Sequence, residues 1–212
     1  IEDQRLAAPG VLGPSWGREA DLRCSTSDAC GGRMDPGYAS HSVYVCHMNN
    51  ASCCWAWHVP PSTDPMLAET YRECDTFCVV RDPVDRFVSE FRYVGGKCDS
   101  AEFAAHAREH LAALRDDPYM AGCHYVPQAE YVFGRNGGSH PFCQHVLRME
   151  TLTDDFNALM KRFSVPLMLK KHSNSHQRCD MVMPADVRRG IEDYYAADYS
   201  AFGYQRLHQA AR

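Results

Sequence analysis

An α/β fold, one domain with a parallel sheet flanked by helices, is what this sequence predicts, on three observations. Apolar runs of strand type alternate with segments of helical period. The clearest strand, 76–80, passes directly into the clearest helix, 83–94, as in a crossover unit. A length of 212 residues, 45% hydrophobic and 23% charged, suits a single domain with a full core.

Residues 1–40 are rich in Gly, Pro, Ser and Asp without any period. They read as an extended lead-in that a disulfide can tie down, with the folded domain over 41–212. Residues 41–46 predict a strand, and 51–57 the start of a helix ended by Pro60 and Pro61. After strand 76–80, Asp82 supplies an N-cap, Pro83 suits the first helical position and Asp85 adds first-turn negative charge. Val84, Phe87, Val88 and Phe91 form the buried stripe of that helix, and Gly95 and Gly96 close it. A second helix spans 101–114, stopped by Asp116, Asp117 and Pro118. A loop-rich stretch reaches Gly138. Strand 144–149, helix 152–163 (introduced by Thr151 or Thr153) and a last helix over 184–197 complete the chain. No repeat, linker or second domain interrupts it.

Net charge of −5 argues against nucleic acid, and against a strongly polyanionic acceptor unless charge is locally segregated. No apolar stretch approaches the length of a membrane span. With no initiator Met and no signal-like start, the chain reads as an excised or processed piece. Eleven cysteines are many for this length, and no Cys-x-x-Cys pair suggests a metal site. They favour a secretory lumen, with disulfides and at least one leftover thiol, since eleven is odd. Cys24 with Cys30, and Cys123 with Cys143, are pairings to test.

The chemistry concentrates in 76–93. Arg81 ends the apolar strand as a fixed cation, and Ser89 lies two turns into the helix, roughly 140° around from Val84. A guanidinium at a strand tip with a hydroxyl on the following helix can clamp a phosphate, the first binding two oxygens and the second a third. Arg-Asp-Pro-x-x-Arg-x-x-Ser after a short strand resembles the 3′-phosphate-binding motif of sulfotransferases that use 3′-phosphoadenosine 5′-phosphosulfate (PAPS). The resemblance is to the Golgi-type, membrane-associated carbohydrate sulfotransferases and their algal relatives. It implies a P-loop-kinase-like sulfotransferase fold in the Golgi lumen and a carbohydrate or other hydroxyl acceptor. It also implies an N-terminal membrane anchor outside this chain, and no metal.

Such a donor needs a second anion site for its 5′-phosphosulfate, expected where backbone N–H groups open a helix after the first strand. Asn49, Asn50, Ala51, Ser52, Cys53 and Cys54 occupy that place. The family commonly has Pro and Lys where this chain has Met48 and Asn49. Asn carries no charge, so Lys170 or Lys171 is the expected substitute cation for the leaving phosphate. The run 170–175, with Asn174 and Ser175, sits where relatives close a loop over the nucleotide.

Three further segments are similar to the family: His124-x-x-Pro127-Gln128, Arg148-x-Glu150 before a helix, and Tyr195-x-x-Asp198-Tyr199-x-x-Phe202-Gly203-Tyr204. The acceptor hydroxyl needs a general base, and His124, Glu150 and His58 are the candidates, His124 for its near-neutral basicity on the expected acceptor side. Two other readings stand beside this one. A relative lacking the loop Lys can keep the nucleotide clamp without catalysing. His106-Ala-Arg-Glu109-His110 matches the His-x-x-Glu-His pattern of a zinc hydrolase, although its helix stripe of Phe103, Ala107, Leu111 and Leu114 faces the core.

Overall fold

The computed structural model describes residues 44–48, 52–55, 58–63, 68–69, 71, 75–135, 137, 140–170, 179 and 181–207. The expected lead-in over 1–40 lies outside them, as does the Cys24–Cys30 pairing. Strands β1 (Tyr44–Met48) and β2 (Ser52–Trp55) form an antiparallel pair in which Val45 faces Cys54. Strand β3 (Phe77–Val80) leads into α1 (Pro83–Tyr93), and α2 (Ser100–Asp116) follows. A 3-10 turn (Ala121–Cys123) and a short helix α3 (Gln128–Phe133) precede β4 (His145–Arg148). Helices α4 (Leu152–Arg162), α5 (Ala185–Tyr194) and α6 (Ala196–Phe202) end the described chain.

The result is a mixed α/β domain with a small parallel sheet flanked by helices. β3 and β4 pair in parallel, Phe77 against His145 through Val80 against Arg148. Helix α1 begins as its sequence dictates. The Asp82 carboxylate accepts from the Val84 and Asp85 amides at 2.9 and 3.1 Å, and Pro83 loses nothing by lacking an N–H there. Its stripe is buried, with Phe87 and Phe91 nearly inaccessible among Phe103, Ala107, Leu111, Ile191 and Tyr195. Burying each such phenyl ring contributes about 2–3 kcal/mol. Gly95 takes φ +96°, a left-handed value that a side chain would strain, and a Cβ on Gly96 would collide with the Phe91 ring.

Several expectations need correction. Residues 51–57 do not open a helix: 52–55 are a strand paired to β1. A segment so short before two prolines cannot complete the turns that helix nucleation needs, whereas β1 supplies ladder partners at once. The strand expected at 41–46 is described from 44 to 48 and pairs within this hairpin, so parallel pairing among the described residues is confined to β3 and β4. The loop-rich stretch contains α3, too short to show a period. The last helix breaks at Tyr195, with ψ of 27°. There the Tyr195 hydroxyl donates to the Tyr125 carbonyl at 2.9 Å, and the turn aims Asp198 at α3.

Cys123 and Cys143 do not pair with each other. The disulfides are Cys54–Cys123, Cys78–Cys143 and Cys98–Cys179, with Cα atoms 5.0, 5.7 and 5.4 Å apart. Among the described residues no thiol is free. Each bridge joins segments 65 to 81 residues apart, separations at which spacing carries no information on pairing. They fit an oxidising, secretory-type environment. No helix among the described residues is long and apolar enough to cross a membrane.

Candidate active site

Arg81 stands at the C-terminal tip of β3, and its backbone is held from across the chain. The Gln128 side chain accepts from Arg81 N at 2.8 Å and donates to Arg81 O at 2.9 Å. Gln128 is held in turn by Asp198, which is fully buried and also accepts from the Ala129 amide at 2.7 Å. The strand tip, the Pro127-Gln128 segment and the C-terminal Asp198 thus form one network that fixes where the guanidinium starts. Its head is 35% exposed, with Asp85 only at 4.0 Å, so it can reach an incoming anion. Ser89 is half-buried on α1.

Glu150 supports the same turn from β4. One carboxylate oxygen accepts from Asp82 N at 2.9 Å and the other from the Tyr204 hydroxyl at 3.0 Å. Arg148 lies over the Tyr204 ring and donates to the Phe202 carbonyl.

On the far part of α1 a second group assembles. His124 Nδ1 lies 2.8 Å from Glu90 Oε1, both side chains 17% exposed. The Tyr93 ring stacks on His124, and the His58 ring meets it edge-on with centroids 4.2 Å apart. His58 Nδ1 is 3.3 Å from the Gly122 carbonyl oxygen. Burial and the neighbouring His124 push His58 down to about 4, so it is neutral over the physiological range. Arg86 fixes this region by donating to the His124 and Val126 carbonyls at 2.7 and 2.8 Å. The Cys54–Cys123 bridge ties β2 to the turn before His124. That turn is left-handed, with Ala121, Gly122 and Cys123 at φ 53°, 65° and 72°.

The structure therefore brings together His58 and His124, and separately Arg81 and Glu150 around the β3–α1 turn. Ser52 and Cys53 lie on β2, where no helix N-terminus stands behind them. Cys54 is buried with its sulfur bonded to Cys123. Lys170 is exposed. Asn49, Asn50, Ala51, Lys171, Asn174 and Ser175 lie outside the described residues. In the zinc pattern, His106 Nε2 is 3.0 Å from the Tyr125 hydroxyl, His110 Nδ1 is 3.0 Å from the His106 carbonyl, and the two rings stack. Among the described residues no group of three or more His, Cys, Asp or Glu could hold a metal ion.

A family model described as sulfotransferase family matches residues 55–205, most of the chain. The chain belongs to the sulfotransferase family. It is accordingly an enzyme of sulfuryl transfer, and the zinc-hydrolase reading gives way to it. No curated protein and no solved structure matches the chain. In this sulfotransferase, sequence reading missed Glu90 and the bracing role of Arg86. Arg86 sits inside the motif and Glu90 directly after it, both off the apolar stripe, but their partners lie more than thirty residues away in a segment without a period.

Proposed function

We propose that this sulfotransferase takes its sulfuryl group from PAPS and delivers it to a carbohydrate hydroxyl in the Golgi lumen. The observation that carries the reading is Arg81: a guanidinium at a strand tip, backbone locked by Gln128, head accessible, and Ser89 on the helix that follows. Together they suit the 3′-phosphate of the donor. The 5′-phosphosulfate falls to residues 49–51, since Ser52–Trp55 is a paired strand, with Lys170 or Lys171 as the substitute cation for the Lys that Asn49 replaces. Asn174 and Ser175 belong to the segment closing over the nucleotide.

His124 serves as general base. The acceptor oxygen attacks sulfur, the bond from sulfur to the bridging phosphate oxygen breaks, and the hydroxyl proton passes to the imidazole. Glu150 has one oxygen engaged by Asp82 N in the β3–α1 turn and the other by the Tyr204 hydroxyl, and His58 buttresses His124, so neither is the base. The oxidising environment and the resemblance to Golgi-type enzymes support the compartment and the acceptor class, with any membrane anchor outside this chain.

Arg81→Ala removes a charge-assisted bidentate contact worth about 1.5–3 kcal/mol, so affinity for 3′-phosphoadenosine 5′-phosphate should fall about tenfold or more. Isothermal calorimetry measures it, and unchanged affinity would reject the clamp. Labelled-sulfate transfer to a carbohydrate panel tests the acceptor class.

A further inference from the structure

Glu90 has no assigned part in the reaction, yet its carboxylate lies 2.8 Å from the imidazole of the base. A carboxylate only accepts, so the proton in the 2.8 Å contact belongs to His124 Nδ1, which leaves Nε2 with its lone pair. Resting on the reading of His124 as base, we propose that Glu90 is a positioning residue: it fixes the Nδ1–H tautomer of His124 and stabilises the imidazolium formed when the acceptor hydroxyl is deprotonated. The acceptor oxygen gains its bond to sulfur, the nucleotide phosphate leaves with the electrons of the broken S–O bond, and the hydroxyl proton moves to Nε2. Glu90 stays ionised throughout, and His124 later releases the proton to solvent.

The surroundings suit this division of labour. His124 and Glu90 are both mostly shielded from water, where an ion pair is stronger than at the surface. Tyr93 stacked on one side and His58 edge-on hold the ring plane. His58 adds no charge beside the imidazolium, since it is neutral. Arg86, one turn earlier on α1, spends its guanidinium on the His124 and Val126 carbonyls, so the backbone is placed independently of Glu90. The other titratable neighbours of the Glu90 carboxylate are His106 and Tyr125. Glu90 directly follows Ser89, so one helix carries both the donor's hydroxyl contact and the carboxylate behind the base.

The test is a nitrogen-15 NMR titration of His124 in the whole protein, in wild type, Glu90→Gln and Glu90→Ala. It is run alongside pH profiles of labelled-sulfate transfer from PAPS to a desulfated glycosaminoglycan. Wild type should show the neutral ring protonated on Nδ1. Gln keeps an acceptor oxygen but loses the charge, so the tautomer should persist while the imidazolium loses its partner and protonation moves to lower pH. The acid limb of kcat should move with it, and kcat should drop about ten- to a hundredfold with KM for PAPS unchanged. Ala should lose the tautomer preference as well and fall further. A titration and pH profile unmoved by Glu90→Gln would overturn the proposal while leaving the base in place. Full transfer by His124→Gln would instead overturn the base reading itself. Gln is isosteric with Glu, so the Gln arm decides even if the Ala variant does not fold.

Discussion

Asp198 is fully buried, and its two oxygens accept from Gln128 N, Gln128 Nε2 and Ala129 N at 3.0, 3.2 and 2.7 Å. It caps α3 from a distant part of the chain, because Pro127 at the N-cap has no side chain to do so. Burial pushes its carboxyl up, and the three donors oppose that shift. Asp198→Asn keeps the shape but turns one acceptor into a donor, which must then face an N–H. Leaving buried donors unpaired costs about 2–3 kcal/mol, so the urea midpoint should fall clearly. Nucleotide binding should weaken as well, because Gln128 would no longer be set to grip Arg81. A variant as stable as wild type would mean that the carboxylate is not what holds this network. Gln128 and Asp198 were both visible in sequence as parts of motifs. Their pairing was not, since 70 residues separate them and neither has a periodic context.

At the scale of elements, α1 and β3 were readable because every local cue agreed: cap, proline, stripe and glycine stop all fall within 76–96. The β1–β2 hairpin was not readable, because its ladder bonds and the bridge from Cys54 are tertiary facts. That bridge matters beyond the hairpin. Residues 121–123 hold left-handed φ values, and two of them are not glycine, at about 1–2 kcal/mol each. The fold sustains the turn by anchoring Cys123 to Cys54 and by Cys123 N donating to the Met120 carbonyl at 3.1 Å. It presents His124 to Glu90 and the Gly122 carbonyl to His58. Replacing both cysteines by serine should cost about 4 kcal/mol from the freed 69-residue loop. Transfer should be lost in the fraction that stays folded, because the turn can relax away from His58 and Glu90. Thermal unfolding with activity measured well below the midpoint separates these effects. Wild-type turnover in that variant would show that the turn needs no tether.

Over the whole molecule, the described core includes apolar clusters around Phe87 and Ile191, around Phe156 and Met160, and around Val80 and Phe202. Stability then rests on interfaces as well as on burial, and the His58–His124 region is one such interface between β2, α1 and the 121–123 turn. His58 is depressed to about 4, and His106, half-buried beside Phe87 and Phe91, is also lowered by its partial burial. In the unfolded chain both take up a proton near the ordinary histidine value of about 6.5. The folded state resists until lower pH, so its stability is present above about 6.5 and is lost as pH falls towards 4. Solvent screening reduces the full linkage for His58 from about 3 to roughly 2 kcal/mol. Asp82 and Asp198, raised by burial, act in the opposite sense because they bind protons more readily when folded. Asp155 and Asp186 are lowered at the surface and contribute little. The two histidines therefore set the upper part of the acid limb. Urea midpoints measured from pH 7.5 to 4.5 should decline most between 6.5 and 5, and His58→Gln, which cannot titrate, should flatten that decline. A slope equally steep in His58→Gln would shift the acid sensitivity to His106 and to groups outside this interface.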